Sequence, residues 1–402
     1  MERSAYKHLI KSTMKYTAIS HTTSHNKIAI TLFIIVNALF VMKYSERIFP
    51  DYFLYITIAY TACTFFFTYK ILPHLTTCHK YNNTLFALGI LSIILMAALQ
   101  YYVDPFSIKV DRWSALHYPI ENLLHGKYPY TAHTHLGGYG SPFPIWQLFH
   151  IPFYLLGNVG ISFFFCISLF LFCIFKAYGK SRMIHVISLI AISPAIWYEA
   201  IVRSDLISNM FICASFIIYM TKQMNQEWIN KNMPFLSIIL ALFASTRLIT
   251  IIPIAMFLFP FFLNITIRRQ IISILIFCIV FILTFLPFAI WDWNNFFFFE
   301  YNPWNLQTRQ GSLMDFIIYI PLFFFLTMSW RGRIQLYNFN ISIMLVSFIL
   351  VSILHQMYTL NVWNLFHSYY DITYYNSAMP FLMLYISGIA QHNITDKISN
   401  NE

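Results

Sequence analysis

The chain reads as long apolar runs separated by short polar turns, and no run carries an acid or a base at its centre. Hydrocarbon offers a backbone no outside partners, so only helices and closed barrels cross it. Barrel strands alternate polar with apolar residues, and stretches such as 161–175 do not alternate. The runs therefore predict an all-α polytopic membrane protein. A spanning helix takes about 20 mostly apolar residues. Twelve candidate spans lie near 28–42, 52–70, 85–102, 159–176, 183–199, 205–221, 233–246, 249–263, 270–290, 313–330, 339–357 and 374–391. The first, seventh and eighth are short, so 11–13 spans fit, and residues 1–402 read as one integral membrane domain.

Composition agrees. Of 402 residues, 58% are hydrophobic and 10% charged, against roughly 25% charged in a soluble domain. An ordinary soluble enzyme, a disordered chain and a secreted disulfide scaffold are excluded. Six cysteines, none in a CxxC pair and most inside apolar runs, fit small core hydrophobes. The first 27 residues are polar and basic, with no cleavage site before the first run, which predicts an uncleaved anchor and a cytoplasmic N-terminus.

Net charge is +10. In a soluble protein that would suggest nucleic acid; here its distribution decides, and no nucleic-acid partner is expected. With the N-terminus inside and the spans alternating, 17 of the 25 Lys and Arg fall on the cytoplasmic side, among them Arg3, Lys7, Lys11, Lys15, Arg182 and Arg331. The positive-inside rule supports this orientation, with both termini in the cytoplasm of a bacterial inner membrane. Eleven of the 15 acids fall outside. Carboxylates contribute little to topology, so their one-sided gathering points to chemistry at the outer face.

Two outer loops are long. Residues 104–158 hold Asp104, Asp111, Arg112, His117, a Ser141-Pro142-Phe143-Pro144 lead-in and an apolar stretch, 145–156, too short to span and suited to an interfacial helix. Residues 291–312 are rich in aromatic rings, which favour the membrane–water boundary. A third outer segment, 359–373, holds His367 and Asp371. Glu199, Arg203 and Asp205 fall in one short outer turn, Arg247 in another, and Arg309 ends the second loop. Arginine grips phosphate with a planar fork of donors, and a carboxylate beside it can take a hydroxyl proton. The cavity expected there suits a lipid-linked phosphate entering sideways from the bilayer. Structural pairing competes for each charge; Arg203 and Asp205 are near enough in sequence to pair. His133 and His135 form an HxH without a third ligand at zinc spacing, so no cofactor is expected, and a divalent metal has no support.

In order along the chain, Asp111-Arg112, the segment Leu123-Leu124-His125-Gly126-Lys127-Tyr128-Pro129-Tyr130, the proline-rich lead-in to an interfacial helix, and Arg247 at a later outer turn carry a resemblance. The chain resembles the GT-C superfamily of membrane glycosyltransferases, most nearly its bacterial, polyprenyl-phosphate-sugar-dependent, mannosyltransferase-like branch. The family's loop acid follows its first span, whereas here two further spans precede the matching one, and no adjacent Asp-x-Asp or Glu-Asp pair is present. The resemblance implies a polyprenyl-phosphate sugar donor and a glycan, lipid or protein acceptor on the outer side. It implies Asp111 as base or acceptor-positioning acid and Arg247 on the lipid phosphate. Asp104 is the alternative base. Arg112, His117, Arg203, Asp205 and Arg309 complete the substrate-binding candidates. The rivals are a lipid-linked polysaccharide polymerase or ligase, a scaffold, and a transporter or flippase. A transporter calls for helices broken at mid-bilayer around a polar centre; Pro194, Pro253 and Pro260 are candidate breaks, with no polar centre evident beside them.

Overall fold

The computed structural model describes residues 23–72, 79–222, 226–309, 311–330, 333–367 and 370–399. Arg3, Lys7, Lys11, Lys15, Cys78 and Arg331 lie outside these. Among the described residues the regular structure is helical, apart from one antiparallel bridge between His133 and Tyr139.

Each of the twelve predicted spans falls on helix. In order these are α1 (Thr23–Glu46), α2 (Phe53–Phe66, extended by a π turn, Phe67–Ile71), α3 (His79–Tyr102), then two loop helices, α4 (Ser114–Leu124) and α5 (Pro144–Leu155). Next come α6 (Ile161–Tyr178), α7 (Lys180–Ala191), α8 (Pro194–Ile201), α9 (Leu206–Lys222), α10 (Gln226–Ala244), α11 (Ile251–Phe262) and α12 (Ile267–Trp291). The second long loop carries α13 (Trp293–Phe297) and α14 (Pro303–Thr308), and the chain continues through α15 (Phe316–Trp330), α16 (Ile334–Leu360) and α17 (Met379–Ser399). Among the described residues five helices (α1, α3, α6, α12 and α16) are long and apolar enough to cross a bilayer, and the bent pair α7–α8 would make a sixth. The 145–156 stretch is helical as expected. Helix α4 was not anticipated: its buried Leu116 and Ile120 pack with Trp146 and Val159, an apolar stripe too narrow to register as a run.

The surface is that of a chain solvated by lipid. Along α12, Ile271, Ile274, Leu275, Ile279, Ile282, Leu283, Leu286 and Ile290 are all exposed, a continuous patch that soluble monomers rarely carry. Only 17% of the apolar window of α12 is buried, against 61% in α16, so α16 is central and α12 peripheral. Around α16 the packing is aromatic: Trp330 stacks on Phe257 at 5.7 Å and meets Tyr337 edge-on at 5.3 Å. Their polar tips are not left bare; Trp330 donates to the Met256 carbonyl at 3.1 Å and Tyr337 to the Pro253 carbonyl at 2.8 Å.

Charged and amide side chains fasten the helix ends in two separate sets. In one, Lys43 donates to the Tyr370 carbonyl at 2.7 Å, Arg112 pairs with Asp371, Arg203 donates to the carbonyls of Gln100 and Val103, and Gln307 reaches the Ser141 carbonyl at 2.7 Å. In the other, Arg182 donates to the Leu384 carbonyl at 2.7 Å, Lys180 to Asn83 at 2.9 Å and Arg269 to the Asn230 carbonyl at 2.8 Å. None of these contacts joins a residue of the expected outer set to one of the expected inner set.

One predicted span needs correcting. Segment 183–199 is not a straight helix but α7 and α8, bent by 74° at 192–193. Pro194 lacks an N–H and clashes with the preceding turn, so it starts a helix rather than continuing one. Ser193 caps α8 at the Ile196 amide. The carbonyls freed by the break are recovered: Trp197 donates to Ala191 at 2.9 Å and Tyr60 to Ile192 at 3.0 Å. Side chains make such breaks tolerable at membrane depth. Contrary to expectation, polar groups do accompany this break, since Ser193 donates to the buried Asn37 amide at 2.6 Å. Pro253 and Pro260 sit within a continuous α11.

Helices α3 and α7 meet where Gly89 leaves no room: a Cβ there would fall 1.7 Å from Cγ2 of Ile187. Ile is stiff at χ1, so Gly89→Ala forces the helices apart. The expected loss is about 1–3 kcal/mol, read as a lowered unfolding midpoint of the purified protein; an unchanged midpoint would show that Ile187 simply swings away.

Candidate functional site

The site is built where the proline-rich lead-in meets the α10–α11 turn. In Ser141-Pro142-Phe143-Pro144-Ile145 the prolines lack N–H groups, so donors remain at alternate positions. Phe143 N–H donates to the Thr246 carbonyl at 3.1 Å and Ile145 N–H to Ser245 at 3.2 Å. The lead-in is thereby laid along the turn, and α5 starts with Pro144 in its first turn. Arg247 leaves that turn in an extended conformation, φ −154° and ψ 141°. Its Nε donates to Asp205 Oδ2 and its Nη2 to Asp205 Oδ1, each at 2.8 Å. Trp146 Nε1 adds a third donor to Oδ2 at 2.6 Å. The remaining nitrogen, Nη1, points to the Ser141 hydroxyl at 3.4 Å. The two charged side chains are 3% and 4% exposed. Asp205 immediately precedes α9, where the helix N-terminus favours an anion.

These surroundings set the charges. Burial alone would raise the Asp205 carboxyl, but the Arg247 guanidinium, with help from Trp146, holds it below its ordinary value. His150, one turn further along α5, is pushed down to about 4 by burial. It is neutral, and its tautomer is fixed: Nδ1 faces the Trp146 carbonyl at 2.8 Å and must donate, while Nε2 accepts from Ser162 at 2.9 Å.

A second cluster centres on Arg112. Its Nη2 donates to Asp371 and, at 3.1 Å, to Thr373 Oγ1. Asp111, half-buried, accepts from Thr134 Oγ1 at 3.0 Å through Oδ2. Gly138 closes over that oxygen; a Cβ there would stand 3.0 Å from it. Glu199 is fully buried on α8, rather than in the turn where the sequence put it, and accepts from Asn376 Nδ2 at 3.0 Å. Both Asp111 and Glu199 act electrostatically on Arg112.

Other candidates fall elsewhere. Arg203 does not pair with Asp205; it caps the C-terminal carbonyls of α3, with Asp104 acting on it through space. Asp104 is exposed and caps the 3-10 turn Pro105–Ser107, so it shares no helix face with Asp111. His117 stacks on Trp113 at 4.3 Å, and burial lowers its pKa. Arg309 is exposed at the C-terminal end of α14. His135 is turned to Ser114 at 2.6 Å and His133 to Tyr139. Among the described residues no three His, Cys, Asp or Glu side chains are placed to hold a metal ion. The second long loop packs against the first: Phe296 is buried with Tyr128, Tyr130, Phe143, Phe285 and Phe288. No family model, curated protein or solved structure matches the chain.

Two outcomes are expected. Asp205→Ala, which strands a buried guanidinium, should cost about 3–5 kcal/mol, whereas the paired apolar replacement Asp205→Leu with Arg247→Met should cost much less; thermal unfolding of both variants checks this. Acid should also destabilise the fold. Asp205 and His150 both hold protons less tightly folded than unfolded, so stability falls as pH falls. The His150 contribution, about 3 kcal/mol, is complete above its ordinary 6.5 and fades toward its folded value of about 4. The Asp205 contribution is complete above 3.8 and is lost only below it. His150→Asn should flatten the stability profile between pH 6.5 and 4; an unaltered profile would rule His150 out as its cause.

Proposed function

We propose that the chain is a polytopic glycosyltransferase of the cytoplasmic membrane, with about twelve crossings and both termini inside. It moves a sugar from a polyprenyl-phosphate donor to an acceptor hydroxyl on the outer face. The observation that carries this reading is an arginine fixed where the α10–α11 turn meets the first long loop. Asp205 and Trp146 hold Arg247 rigid, and its Nη1 edge faces the lead-in that the first long loop lays beside it. A preoriented guanidinium at the membrane border suits a lipid phosphate better than a mobile lysine would. Asp111 supplies the second part. It lies on the same loop, half-buried, with Oδ2 steadied by Thr134.

The reaction is one displacement. The acceptor oxygen attacks the anomeric carbon while its proton passes to Asp111. The carbon–oxygen bond to phosphate breaks, and the lipid phosphate leaves with the electron pair, its charge met by Arg247. Phosphate is a good leaving group, so the step needs no general acid. The half-buried pairing of Arg112 with Asp371 positions the loop that carries Asp111.

A second reading, a transporter of lipid-linked material, draws support from the α7–α8 break and the polar groups beside it. Purified protein in lipid nanodiscs, given radiolabelled polyprenyl-phosphate mannose and a membrane-extract acceptor, separates the two. Transfer or hydrolysis of the labelled sugar is expected. Asp111→Asn should lower it by about 10²–10⁴-fold at unchanged expression, and Arg247→Lys by roughly 10²-fold. Wild-type turnover in Asp111→Asn would remove Asp111 as the base. Passage of intact donor across a vesicle membrane, without bond cleavage, would favour transport.

A further inference from the structure

Beside the 74° break between α7 and α8 lies a groove that the proposed reaction does not use. Helix α1 lends it Phe40 and Tyr44, with Ile48 just beyond the helix end; α2 lends Ile56; and α8 lends Pro194, at the break itself, and Tyr198. Phe40, Tyr44 and Ile48 recur at helical spacing and so share one face. The groove holds about 280 Å³, just under the roughly 300–1,000 Å³ of a pocket that takes a whole small molecule. From Phe40 to Ile48 it follows about 12 Å of helical rise, close to the hydrocarbon depth of one leaflet, about 15 Å. Phe40 is buried, whereas Ile48 is 69% exposed, so the groove is open at the Ile48 end.

That open end carries a cation. The Arg47 guanidinium lies over the Tyr44 ring, 5.0 Å from its centre, and Tyr44 in turn stacks on Tyr198 at 4.2 Å. The ring fixes the guanidinium without neutralising it. Arg47 is exposed, and among the described residues no carboxylate lies within ion-pair distance of it, Glu46 and Asp51 included. The two charged side chains that act most strongly on the Tyr44 hydroxyl are both arginines, Arg112 and Arg47. Tyr52 and Tyr55, both exposed on or beside the start of α2, mark this end as suited to the membrane–water boundary. An apolar slot of leaflet depth that ends at an unpaired cation complements an amphiphile with an anionic head. Its length fits an acyl chain, whereas a polyprenyl chain outruns one leaflet.

We infer that the groove between α1, α2 and α8 is a binding site for an anionic membrane phospholipid of the phosphatidylglycerol kind, with one acyl chain in the groove and the phosphate on Arg47. The chain braces α8 against α1 and α2 beside the break, where the helix itself supplies no continuity. The site stands whether or not the chain transfers a sugar.

The test is native mass spectrometry of the purified full chain in detergent, titrated with phosphatidylglycerol, phosphatidylcholine or polyprenyl phosphate. One phosphatidylglycerol should bind about fivefold more tightly than phosphatidylcholine, the worth of a single arginine near a lipid surface. Arg47→Ala should remove that preference, Arg47→Lys should keep most of it, and Ile56→Trp, which fills the groove, should abolish the bound lipid. Equal affinity for the two phospholipids would overturn the site, as would a preference that survives in Arg47→Ala. Binding of polyprenyl phosphate with none of phosphatidylglycerol would overturn it too. Arg47 is exposed, so its variants leave the packing intact, and the wild-type titration decides even if Ile56→Trp fails to fold.

Discussion

The pair between Asp205 and Arg247 is the interaction on which this end of the helix bundle depends. It lies between elements remote in sequence, the start of α9 and the α10–α11 turn, and its third donor comes from α5 in the first long loop. Two charges out of water are costly apart and tolerable together only when geometry is good and the remaining lone pairs are met. Here both carboxylate oxygens are met by Arg247, one of them by Trp146 as well. The arrangement therefore does not tolerate a slack loop: if α5 drifts, an indole N–H and a carboxylate oxygen lose each other in a dry place. A polar contact of this kind specifies position more sharply than the apolar packing around it, which would accept many registers.

Much of the architecture was legible in the residues. Long apolar runs mark helices because lipid leaves the backbone no other choice, and the turns between them are too polar to be missed. Helix ends were less legible. Helix α10 begins in Gln226-Glu227-Trp228, seven residues before the apolar run, because a helix can continue through polar residues, where hydropathy gives no sign. The α7–α8 break was signalled by Pro194, but its size and the polar groups beside it were not, since Asn37 and Tyr60 come from helices far back along the chain.

The site was legible as residues and hidden as partnerships. Asp111, Arg112, Asp205 and Arg247 stand out because charge is rare here and gathers on one side. Nothing in their spacing says that Arg247 takes Asp205, that Arg112 takes Asp371, or that Arg203 takes neither. Those choices are made by tertiary packing between spans. Trp146 and Asn376 went unselected because an indole or an amide in an apolar chain carries no mark of its partner. Glu199 was visible as a charge but was placed in the turn, whereas Pro194 starts a helix that carries it inward.

Arg203 has one more property. Its φ is 57°, a left-handed conformation that suits glycine and strains most other residues. Glycine there would relax the turn and release the end of α3. The arginine instead sets local preference against a tertiary bond, a small frustration retained within a fold that otherwise agrees with itself. Since Asp205 lies two residues on, the backbone that holds the anion and the clamp that holds α3 are mechanically in series. A shift of α3 at its C-terminal end is felt at the carboxylate through two peptide units, with no ligand in between.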